Sequence, residues 1–166
     1  MSDHYAFSIS IQLRSDITDA ELAAVRYLVD GEGSPPTELP DHEYFSGGLP
    51  AESISQVYRD FELGNFLSRS WCNRNPEGII WDVGVHLYLP GQKLEGVYGD
   101  PFALAQWLAT LSASVGCIGS IVCEDDNLGI PTLLFAYKRE LHMATFAGDG
   151  SIRSVATGDA YLSSDG

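Results

Sequence analysis

The sequence predicts an α+β fold: a mainly antiparallel sheet with two or three helices on one face, a ferredoxin-like core carrying extra C-terminal strands. Three observations predict it. Apolar and polar residues alternate with a period of two in separate stretches, the mark of half-buried strands. Two helix-start signals each follow or lie between such stretches. The C-terminal third is rich in short strand patterns joined by turns, as in a returning hairpin.

The first element is the plainest. Tyr5, Phe7, Ile9, Ile11 and Leu13 alternate with Ala6, Ser8, Ser10, Gln12 and Arg14, which gives a strand with one apolar face. Thr18-Asp19-Ala20-Glu21 is a capping box, in which the threonine hydroxyl and the glutamate carboxylate each satisfy a free amide at a helix start. Leu22, Val25, Leu28 and Val29 continue as the buried stripe of that helix, and Gly31 is placed to stop it.

Residues 31–78 are irregular, because Ser34-Pro35-Pro36, Pro40, Gly47-Gly48 and Pro50 interrupt regular structure repeatedly. Glu43-Tyr44-Phe45 suits a short strand. Ala51 to Phe61 suits a helix bearing Ile54, Val57, Tyr58 and Phe61, and Asn73 to Gly78 is a turn cluster. A strand then begins at Ile79, with Trp81, Val83, Val85, Leu87 and Leu89 alternating against Asp82, Gly84, His86 and Tyr88. Pro90-Gly91 ends it.

Asp100-Pro101 is a second helix start, an N-cap followed by proline at the first helical position. Leu104, Trp107, Leu108 and Leu111 fall at helical spacing behind it. Ser114 to Cys123 is a nearly all-apolar strand closed by the turn Glu124 to Asn127. Pro131–Tyr137, Leu141–Phe146 and Ile152–Ala156 are further strands, with Gly148-Asp149-Gly150 as a hairpin turn. Lys138-Arg139-Glu140 lacks turn residues, so 132–146 also suits one long bent strand. The two β-α stretches share a pattern but not residues, and are not a repeat.

At 166 residues the chain suits one domain, read as 1–157 with the irregular insertion at about 31–78 and a loose tail at 158–166. Hydrophobic residues at 45% supply enough apolar surface for a packed interior. Nine basic and 23 acidic residues leave a formal charge of −14. That charge repels phosphate backbones and anionic membranes, and favours a basic protein, a cationic ligand, or solubility alone. No signal peptide or membrane-spanning run is legible. Cys72, Cys117 and Cys123 are too few for a disulfide framework in a chain this long. In one strand, Cys117 and Cys123 would lie roughly 20 Å apart, beyond disulfide reach. A reducing cytoplasm is the compartment these features suit.

The sharpest constellation is the polar face of the two alternating strands. Ser8, Ser10, Gln12 and Arg14 from one strand would share it with Asp82, Gly84, His86 and Tyr88 from the other. Helices covering one side leave such a face solvated or binding. Arg14 could pair with an anion, and His86 and Tyr88 could move protons or donate hydrogen bonds. Asp82 and His86 are four residues apart, about 13 Å along a strand, so Asp82 cannot orient that imidazole as in a triad. The plain alternative is an ordinary solvated sheet face.

The remaining clusters suit structural roles better. Glu124-Asp125-Asp126-Asn127 does not match the alternating ligands of a calcium loop. Asp41-His42-Glu43 has no second His or Cys at ligand spacing, and no metal is expected. Cys72 lies near Arg69 and Arg74 but has no assignable histidine partner. Phe45-Ser46-Gly47-Gly48 lacks the lysine of a phosphate loop, and no cofactor motif occurs. Trp71, Trp81 and Trp107 are core or rim residues.

Three functional readings follow. The first is a non-catalytic acidic interaction protein, in its concrete form an inhibitor or immunity-type protein that neutralises a basic protein partner. The second is a small-molecule-binding domain or modest enzyme using the sheet face, with Arg14, His86 and Tyr88 as anchors and a homodimer closing the face. The third is a nucleic-acid mimic, whose carboxylates would imitate phosphates.

Overall fold

The computed structural model describes residues 4–30, 35–49, 84–92, 101–113, 115–125, 130–146, 149 and 151–156. Six strands form one sheet: β1 (Tyr5–Gln12), β2 (Gly84–Gln92), β3 (Gly116–Cys123), β4 (Thr132–Tyr137), β5 (Glu140–Phe146) and β6 (Ile152–Ala156). Two α-helices accompany them, α1 (Asp19–Asp30) and α2 (Pro101–Leu111), with a short 3-10 helix at Glu43–Phe45. The strand order is β2-β1-β3-β4-β5-β6, and all five neighbouring pairs are antiparallel. The α+β class and the antiparallel sheet expected from the sequence are thus present.

Because β2 and β3 both run antiparallel to β1, they run parallel to each other on its two sides, joined through α2. That is a split β-α-β unit.

Each helix forms where its sequence signals place it. Thr18 Oγ1 accepts from the Glu21 amide at 3.1 Å, and Glu21 Oε2 accepts from the Thr18 amide at 2.7 Å, closing the capping box. On α2, Leu104, Trp107, Leu108 and Leu111 are all fully buried. One continuous core joins both helices to Phe7, Ile9, Ile11 and Leu13 of the first strand region, Val85, Leu87 and Leu89 of β2, and Leu134, Leu141 and Met143 further along the sheet. The apolar series of β1 and β2 therefore faces the helices, as its alternation predicts.

One expectation is corrected, and one open alternative is decided in favour of the two strands first expected. Glu43-Tyr44-Phe45 is a 3-10 turn, not a strand; His42 in extended conformation caps it, with its side chain accepting from the Tyr44 amide. Both aromatic rings then turn inward onto Trp107. Residues 132–146 are two strands, because Lys138 and Arg139 adopt left-handed backbone at φ 51° and 65° and close a two-residue turn. Neither is glycine or asparagine, so composition hides the turn. The helix expected at 51–61, the turn at 73–78, the first residues of the strand at 79–83, Cys72 and the tail lie outside the described residues.

The third strand is irregular for a steric reason. Its register with β4 shifts between Cys117 and Gly119, and a Cβ on Gly119 would meet the Ser8 carbonyl oxygen at 1.9 Å. Only glycine allows β1 and β3 to approach there.

Candidate functional site

The sheet face turned away from the helices is built from alternate residues of five strands. On β1 these are Ser8, Ser10 and Gln12, all exposed. On β2 they are His86 and Tyr88, also exposed, while their neighbours Val85, Leu87 and Leu89 are buried. Ladder register fixes who meets whom: Ser10 is opposite His86, and Ser8 is opposite both Tyr88 and Ser120. Ser120 in turn is opposite Leu133, and Leu133 is opposite Ala144. A single row thus runs Tyr88, Ser8, Ser120, Leu133, Ala144 across the sheet.

The face changes character along that row. Its β1–β2 side is hydroxyl, imidazole and phenol. Its β4–β5 side is apolar and aromatic: Leu133 and Phe135 are half-buried, Tyr137 is 51% exposed and Phe146 is 38% exposed. Phe135 is opposite His142, whose ring lies 6.1 Å from that of Tyr137. Among the described face positions of β1 to β5, Glu140 is the one carboxylate, at the end of β5 beside its partner Tyr137.

The four residues singled out from the sequence separate. His86 and Tyr88 stand on the face as expected. Arg14 does not: beyond the end of β1 its guanidinium turns toward the helices. Nη2 donates to Glu21 Oε1 at 2.7 Å, Nε donates to the Thr110 carbonyl at 3.0 Å, and Nη1 lies 2.8 Å from Asp16 Oδ1. Arg14 therefore clamps the start of α1 to the end of α2, where a cation also complements the helix dipole. Its hydrogen bond holds the Asp16 carboxyl below the ordinary carboxylate range, with Arg139 adding to the effect. Asp82 lies outside the described residues.

Chemically, the arrangement offers Ser10 beside His86, but the acid that would orient the imidazole and an enclosing wall are not supplied by the described residues. Among those residues, no group of three His, Cys, Asp or Glu side chains is placed to hold a metal ion. What the face offers is breadth: a flat run of hydroxyls and aromatic rings suited to contact with another surface.

The sequence missed the apolar half of the face. Thr132-Leu133-Leu134-Phe135-Ala136-Tyr137 is apolar at both parities, so alternation carries no signal about which residues look outward. The one available signal was that apolarity itself, since a strand apolar at both parities carries apolar residues to both faces of the sheet. No family model, curated protein or solved structure matches the chain.

Proposed function

We propose that this chain is a non-catalytic binding protein that receives a protein partner on the sheet face turned away from α1 and α2. The observation that carries this reading is the row that joins exposed Tyr88, His86, Ser8 and Ser10 to the apolar Leu133, Phe135 and Phe146 across one sheet face, on which Glu140 is the one carboxylate among the described positions of β1 to β5. The cores of protein interfaces are depleted in charge and enriched in aromatic residues, with polar groups around them.

The chain carries a formal charge of −14, which gives the partner its sign. An acidic body speeds the approach of a basic protein and disfavours a second copy of itself. An inhibitor or immunity-type role, masking a basic protein, follows from that combination. The split β-α-β unit supports a ferredoxin-like core behind this face.

Affinity capture from cells that encode the chain tests the reading. Wild-type bait is expected to retain a basic protein at low salt and to release it as salt rises. Bait carrying Ser8→Lys and Tyr88→Lys is expected to lose it, while Arg26→Ala, on the exposed side of α1, keeps it. Retention by the double variant, or loss with Arg26→Ala alone, would place binding elsewhere.

A further inference from the structure

Residues 35–49 are held to the helix side of the molecule by Tyr44 and Phe45, with Leu49 also packed against the core. Tyr44 and Phe45 are buried against Trp107 of α2: the Tyr44 ring stacks on the indole at 5.9 Å and 10°, and Phe45 meets it edge-on at 4.8 Å and 86°. The turn presenting them is held by hydrogen bonds from the Phe45 amide to the His42 carbonyl and from the Ser46 amide to the Glu43 carbonyl. Its open end is closed by a side chain, with His42 Nδ1 accepting from the Tyr44 amide at 3.1 Å.

An imidazole nitrogen that accepts must carry a lone pair. The ring is therefore neutral in this conformation, with its proton on Nε2. A protonated ring donates from both nitrogens and turns an N–H toward the Tyr44 amide, so the cap becomes a repulsive contact.

We propose that residues 35–49 form an acid-sensitive strap, in which neutral His42 holds Tyr44 and Phe45 on Trp107 and protonation of its Nδ1 releases them. The surroundings fit. Burial lowers the His42 pKa, with Glu43 and Asp41 opposing the shift. Helix α2, on which this turn packs, contains no ionisable side chain. The folded protein therefore binds fewer protons at His42 than the unfolded chain. The contribution of the cap is complete above the ordinary histidine value of 6.5 and is lost as pH falls below it toward the folded value. The closed strap also carries a burden: the Tyr44 hydroxyl and the Trp107 indole N–H are buried without a hydrogen-bond partner among the described residues. Water satisfies both once the strap lifts, which lowers the threshold for release.

Solvent exchange of the Trp107 indole proton, followed by NMR on the full chain, tests the proposal. In the wild type its protection factor is expected to fall roughly fivefold between about pH 7.5 and about pH 5, the size of one lost cap. His42→Asn keeps an acceptor that does not titrate, and its protection is expected to stay constant over that range. His42→Ala lacks the cap at every pH and is expected to be roughly fivefold less protected than the wild type at about pH 7.5, with no further fall at about pH 5. An identical pH response in wild type and His42→Asn overturns the proposal, and so does constant protection in the wild type. If His42→Ala does not fold, the comparison of wild type with His42→Asn decides alone.

Discussion

At the scale of single residues, Arg14 and Gly119 do structural work that residue type alone misassigns. Arg14 shares its strand's polar parity with Ser8 and Ser10, yet its side chain is only 14% exposed and engages Glu21, Asp16 and the Thr110 carbonyl. Removing it leaves the similarly shielded Glu21 carboxylate and a helix-end carbonyl without their donor. Arg14→Ala is expected to lower unfolding free energy by about 2 kcal/mol in urea titration, with partner capture unchanged. A loss of capture at unchanged stability would return Arg14 to the binding site. Gly119 is legible in sequence only as a break in an apolar run. Its obstacle is the Ser8 backbone, not a flexible side chain, so Gly119→Ala must push two strands apart. A destabilisation of about 3 kcal/mol is expected by the same titration, and a neutral outcome would mean the strands pair differently. His86 and Tyr88, by contrast, stood where parity put them, because period-two alternation is a direct readout of strand geometry.

At the scale of elements, legibility followed the strength of local signals. The capping box at Thr18 and the Asp100-Pro101 start announce α1 and α2 because both rest on short-range hydrogen-bond and backbone rules. The turn at Lys138-Arg139 escaped for the opposite reason: the sheet imposes left-handed backbone on residues that do not favour it. A type I′ hairpin strongly prefers Asn-Gly at these places. Lys138→Asn with Arg139→Gly is therefore expected to raise stability by about 1 kcal/mol. The exposed Arg139–Asp16 pair that is given up contributes little against this gain. Thermal unfolding of the double variant checks it, and a lowered midpoint would show that the Arg139 contacts matter more than the backbone. The 3-10 turn at 43–45 was misread as a strand because its cap is a histidine, outside the usual N-cap residues.

At the scale of the whole molecule, charge and shape divide their tasks. The sequence shows the charge in full but not its placement, since acidic residues are spread along the chain. The face that results is hydroxyl-rich on β1 and β2, aromatic on β4 and β5 and, among the described residues, bare of helices. Under the proposed function, long-range attraction would bring a basic partner near, and the polar and aromatic face would supply the contact that excludes water. A cysteine placed at Ser10, in the middle of that face, reports on both statements when labelled with a bulky maleimide in the free protein and in the captured complex. The account predicts rapid labelling when free and protection in the complex, with a cysteine at Arg26 on α1 reacting equally in both. Slow labelling of the free protein, or equal labelling at position 10 with and without partner, would contradict it.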